Sequence, residues 1–195
     1  MAKSESSIAK TETPQPGVVL LRDGATIGIK VSLTELVPPE DAFQTDWYAS
    51  DSTQGGLRCV FAKLSAGRGS VTGVVEITLH EHALRFIVDS AKVEVFQKEL
   101  KLLSEKRNLA PTTFSLQQLS SLINTTTKEA AFVASFAFIA FTGEDAALSF
   151  FRVAPGAEML AEKRRMVTPL VRIDTSVSIL LAFLRDVRSA IKESP

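Results

Sequence analysis

Apolar and polar residues alternate along most of this chain in short runs, separated by polar turns. Val74-Val75-Glu76-Ile77-Thr78 leads into a long amphipathic stretch, and Leu170-Val171-Arg172-Ile173-Asp174 leads into another. Upstream of each lie two apolar, strand-like runs joined by a polar turn. The chain therefore reads as one strand-strand-strand-helix unit written twice, and a repeat of that size decides architecture before any local assignment does. A gap-free alignment of residues 74–89 with 170–185 matches Val75 with Val171, Ile77 with Ile173 and Leu84 with Leu180. The shared order of elements carries more weight than these identities.

The first elements precede the repeat. Residues 17–21 and 26–33 are rich in Val and Ile, and Arg22-Asp23-Gly24 between them signals a hairpin. Val37-Pro38-Pro39-Glu40-Asp41 breaks regular structure. The first unit then begins at Ala42, with strands over 43–49, 57–64 and 71–77 and turns at 50–56 and 65–70. Thr78-Leu79-His80-Glu81 fits a capping box. Leu84, Ile87, Ala91, Val95 and Leu102 fall near one helical stripe, so a long helix over 79–106 is expected, ending in basic residues. The alternation Lys92-Val93-Glu94-Val95-Phe96 supports a competing hairpin there. Ser115-Leu116-Gln117-Gln118 is a second capping box and predicts a short helix to about Ile123.

The second unit predicts strands over 130–141, 146–153 and 167–173, with a turn at Thr142-Gly143-Glu144-Asp145. The first of these is apolar on both faces and so should be covered on both. Pro169 places the start or an edge of the third. Asp174 aligns with Thr78 as a helix N-cap. The closing helix over 175–193 carries Val177, Leu180, Leu184, Val187 and Ile191 at helical spacing, and Ile179, Leu181 and Phe183 widen that stripe. A helix this apolar packs on two surfaces.

The predicted fold is α+β: an antiparallel sheet of seven to eight strands with two long helices, arranged as two related β-β-β-α units. Residues 1–16 read as a disordered tail, 17–108 as a β-rich unit with its helix, 109–128 as a connector with a short helix, and 129–195 as the second unit.

Composition narrows the function classes. The 195 residues are 45% hydrophobic, enough for a substantial core, and 22 basic residues balance 22 acidic ones. Neutrality disfavours broad phosphate-driven nucleic-acid binding and removes the repulsion that opposes self-association, so a homo-oligomer is expected. Cys59 is the only cysteine, which rules out an intramolecular disulfide and points to the cytoplasm. Residues 1–17 lack the apolar core of a secretory signal, and the longest apolar run, 130–141, is too short to span a bilayer as a helix.

Few residues suggest chemistry. His80-Glu81-His82 is the one histidine cluster, and on a strand its two rings would share a face toward a metal. On the first turn of a helix they diverge, and no third ligand is in view. Cys59 sits in an apolar strand and reads as an inert buried thiol. Gly67-x-Gly69 precedes a strand, where a phosphate cradle needs a helix N-terminus. Trp47 and Tyr48 fit interface anchors or core aromatics. Lys163-Arg164-Arg165 fits a solvated loop or a contact to acidic partners. With no set of acid, base, nucleophile or metal ligands, and no cofactor implied, the expected function is non-catalytic. The protein should bind or assemble with other proteins through an apolar sheet or helix surface. The candidate contact residues are Trp47, Tyr48, Ile179, Phe183, Arg164 and Arg165. A metal-dependent enzyme centred on His80 and His82 is the alternative, and a nucleic-acid accessory factor using residues 163–165 a weaker one.

The pattern of residues 130–141, 146–153 and 167–173, followed by Asp174-Thr175-Ser176, resembles small uncharacterised bacterial proteins in which three strands lead into one C-terminal helix. At fold level it is also similar to the SecB-like export chaperones, which set a curved antiparallel sheet against long helices. That resemblance implies a chaperone-like role and assembly through the helices.

Overall fold

The computed structural model describes residues 18–22, 25–29, 38–65, 70–112, 114–118, 128–153 and 167–193. The chain divides into two compact units, Met1–Leu36 and Val37–Pro195. In the first, β1 (Val18–Arg22) and β2 (Ala25–Ile29) pair antiparallel with Arg22 opposite Ala25, the hairpin that Asp-Gly predicts. The tail over 1–17 and the 154–166 segment, with Arg164 and Arg165, lie outside the described residues.

The second unit holds two mixed sheets of four strands rather than one antiparallel sheet. Its strands are β3 (Ala42–Gln44), β4 (Trp47–Thr53), β5 (Gly56–Leu64), β6 (Val71–His80), β7 (Lys128–Ala134), β8 (Phe136–Thr142), β9 (Asp145–Val153) and β10 (Val167–Ser176). The first sheet has the order β4-β5-β6-β7 and the second β3-β10-β9-β8. Each sheet thus takes three antiparallel strands from its own half. Its fourth strand comes from the other half and lies parallel, β7 on β6 and β3 on β10.

This exchange corrects the strand predictions. The run over 130–141 is not one strand. It breaks at Ser135, and β7 and β8 enter different sheets. The run over 43–49 breaks likewise at Thr45-Asp46. The corners are built alike. The Asp46 N–H donates to Ala62 O at 3.3 Å, and Asp46 Oδ1 accepts from Leu64 N at 3.0 Å. The Ser135 N–H donates to Phe151 O at 2.8 Å, and Ser135 Oγ accepts from Val153 N at 3.1 Å. A short polar side chain bonds a neighbouring strand where the ladder is interrupted, so the backbone groups at each bend keep partners. The turn expected at 50–56 shrinks to Gln54-Gly55, because Ser50 to Thr53 pair with β5 as the exposed end of an edge strand. Gly55 there takes φ +81° and Gly143 in the β8–β9 turn takes φ +60°, which glycine adopts without steric cost.

The helices also differ from prediction. Thr78 and Asp174 are not N-caps, since both lie inside strands. Strand runs straight into helix in each half: β6 into α1 (Glu81–Ala91) and β10 into α3 (Val177–Glu193). The hairpin turns supply what the caps were expected to. Glu81 N–H donates to Gly55 O at 3.2 Å and Val177 N–H to Glu144 O at 2.8 Å. Ser176 Oγ accepts from Ile179 N at 3.3 Å. The gap-free alignment holds, since carried back three residues it starts β6 and β10 together.

The expected helix over 79–106 is interrupted. α1 ends at Ala91, Val93 is extended (φ −56°, ψ 124°), and α2 (Glu94–Arg107) follows. No proline or glycine stands there, but Ser90 and the β-branched Val93 both weaken a helix. A straight continuation would carry Val95 onto the buried stripe of Ala83, Leu84, Ile87 and Ala91; instead Val95 is 63% exposed. α2 closes on left-handed Asn108, with Asn108 N–H on Glu105 O and Leu109 N–H on Ser104 O, the pattern of a Schellman cap. The Ser115–Gln118 capping box forms reciprocally, with bonds of 2.9 and 3.1 Å.

One core cluster joins the inward faces of both sheets to α1 and α3. α3 packs on α1 and on strands of both sheets, as its doubly apolar surface requires. Burying Leu180, Phe183, Leu184 and Val187 contributes on the order of 2 kcal/mol each. Val75, Val171, Ile77, Ile173, Leu84 and Leu180, the three matched pairs, are all core residues. The opposite face of the first sheet carries a second cluster of Trp47, Ala49, Val60, Ala62, Val71 and Val74, against which Leu116 packs.

Candidate functional site

The aromatic candidates are internal. Trp47 is 1% exposed and stacks on Phe114 at 5.0 Å and 17°, while Tyr48 and Phe183 are wholly buried and Ile179 nearly so. None presents surface to a partner. Tyr48 belongs to a polar thread through the core. Its hydroxyl lies 3.9 Å from Cys59 Sγ, and on the same strand Ser50 Oγ donates to Asp186 Oδ2 at 2.7 Å. Burial, with smaller Coulomb contributions, pushes both the Cys59 thiol and the Tyr48 phenol upward, so both stay protonated. The thiol therefore lacks the thiolate character of a nucleophile.

His80 closes β6 and His82 is the second residue of α1, both at the surface, with ring centroids 6.4 Å apart. Partial burial and the neighbouring His80 lower the His82 pKa. Among the described residues no three His, Cys, Asp or Glu side chains are disposed to hold a metal.

Two depressions among the described residues bear on function. The larger, about 840 Å³, lies between β3, the β8–β9 hairpin and the end of β10, and carries Asp46, Asp145 and Asp174. Two of these carboxylates already serve the fold: Asp46 accepts from Leu64 N, and Arg172 Nη2 donates to Asp174 Oδ2 at 2.9 Å. Size does not make this the candidate.

The second, about 640 Å³, is a groove where the end of α1, α2 and the last turns of α3 converge. Phe96, Leu100 and Leu181 form its floor, and Lys92, Lys101, Arg188 and Lys192 stand around it. It continues along α3 into a smaller hollow of about 360 Å³ that shares Leu100, Leu181, Arg188 and Lys192 and ends at Pro111 and Leu184. The break at Val93 creates the groove, because it lets α2 leave the core while Leu100 alone of its residues is buried. No sequence signal singled it out: Phe96 ends the stretch whose pattern suited both helix and hairpin, and Leu100 follows in the expected long helix.

No family profile, curated protein or solved structure matches this chain. No helix among the described residues is long and apolar enough to cross a membrane.

Proposed function

We propose that this protein is a non-catalytic binding protein that takes a segment of another protein into the groove between α2 and α3. The observation that carries the reading is the groove itself: an elongated apolar floor, left open where two helices diverge. Apolar grooves between helices accept amphipathic segments because burying the segment's apolar side chains removes both surfaces from water. The inert Cys59 and the structurally committed Asp46 and Asp174 suit a role without covalent chemistry. The reading keeps the chaperone-like function expected from the sequence and moves it from Trp47, Tyr48, Ile179 and Phe183 to Phe96, Leu100 and Leu181.

The test is affinity capture with a groove-blocked control. Leu181→Arg places a charge on the floor, and Gln97→Trp fills the groove from an exposed position without touching the core. A protein held by the parent chain and lost from both variants, with melting temperatures unchanged for Gln97→Trp, is the expected result. Equal retention by all three contradicts the reading.

A further inference from the structure

The groove has a charge as well as a shape. Its lining includes four cationic side chains, Lys92, Lys101, Arg188 and Lys192, and no carboxylate. Lys92 and Lys101 also face acids of their own helical segments, Asp89 at 2.9 Å and Glu105 at 3.7 Å, in exposed pairs that contribute little. Arg188 and Lys192 have no ion pair among the described residues, although both project beside the floor. The whole chain is neutral, so this concentration of one sign is local.

The lining also has helical geometry. On α3 it runs through Leu181, Leu184, Arg185, Arg188, Ile191 and Lys192, which recur at spacings of three and four. The facing residues Phe96, Leu100 and Ser104 recur at four along α2. From Leu181 to Lys192 the stripe is about 16 Å long at 1.5 Å per residue, which matches about three turns of a docked helix.

We propose that the occupant is an amphipathic helix of about three turns from a partner protein, with apolar residues at i, i+3, i+4 and i+7 on the floor and Glu or Asp flanking them toward Arg188 and Lys192. This rests on the reading of the groove as a protein-binding site and adds the chemistry of the partner. A basic helix with the same apolar stripe is rejected because its charges would meet four like charges.

The test uses two synthetic helical peptides with one Leu stripe, flanked by Glu in one and by Lys in the other. Each is titrated to millimolar concentration into the full-length protein, followed by methyl NMR shifts of Leu100 and Leu181. The Glu peptide is expected to shift these methyls and to bind about tenfold more weakly at high salt. Arg188→Glu with Lys192→Glu, both exposed positions, is expected to reverse the preference between the peptides. Equal binding of both, or preference for the Lys peptide, overturns the acidic-helix proposal and leaves the groove reading standing. Failure of both peptides to shift either methyl overturns the two together.

Discussion

Phe61 and Phe150 are each the sixth residue of a nine-residue strand, β5 and β9, and their rings meet in the core with centroids 6.3 Å apart. Phe61 lies opposite Val75 and Phe150 opposite Val171, the matched valines of the repeat, so the rings are equivalent residues of the two halves. That contact, together with the exchanged strands β3 and β7, joins the two β-β-β-α halves of Val37–Pro195 in one core.

The ring contact carries a coupling energy. Phe61→Leu and Phe150→Leu should each cost roughly 1–2 kcal/mol. The double variant should depart from additivity by about 0.5–1.5 kcal/mol, as aromatic pairs do. Urea denaturation of the four proteins of the cycle measures this, and strict additivity would place the two rings in independent environments.

The strand corners depend on single side-chain acceptors. Ser135→Ala should destabilise by about 1 kcal/mol, because it leaves the Val153 N–H without its partner. Asp46→Ala should cost less, since its bond to Leu64 N is exposed, and Asp46→Asn should be nearly neutral because it keeps an acceptor oxygen. Chemical denaturation ranks the three.

Thr175 is buried, and its hydroxyl finds no hydrogen-bond partner among the described residues. In the aligned half its place belongs to Leu79, a core leucine. Thr175→Val keeps the shape and removes the unsatisfied group, so it should raise stability by about 1 kcal/mol. A lower melting temperature for this variant would show that the hydroxyl is bonded in solution.

The buried Tyr48 and Cys59 make the fold sensitive to alkali. Both have folded pKa values raised above their ordinary 10.0 and 9.0. Their contribution is therefore complete below pH 9 and is lost as pH rises, because the unfolded chain releases these protons first. Stability should fall above about pH 9 by up to about 1.4 kcal/mol per pH unit for each group. Cys59→Ala and Tyr48→Phe should each flatten that decline, measured as urea midpoints between pH 7 and about pH 11.

The order of elements, the repeat and the core of α3 were legible because long apolar periodicity reports burial directly. The two sheets were not. A chain that bends through one or two polar residues stays strand-like on both sides, so Ser135 and Thr45-Asp46 read as blemishes in single strands. Thr78 and Asp174 have the chemistry of caps, yet both lie inside strands; the carbonyls of Gly55 and Glu144 in the adjoining hairpin turns take the first helical N–H groups, and Ser176 supplies the side-chain cap of α3. The groove was hidden for the same reason. Leu181 and Leu100 read as core leucines, and both do pack in the core; that they also line a cleft follows from the turn at Val93, which no periodicity marks.

Site-specific photo-cross-linking tests the groove most directly. A benzophenone side chain at Ser104, which lines the groove, should trap a partner segment, and the same group at Thr72, exposed on β6 and outside the groove, should not. Adducts at Ser104 that sequence to an acidic amphipathic helix are the predicted result. Equal adducts at both positions, or adducts at Thr72 alone, would contradict it.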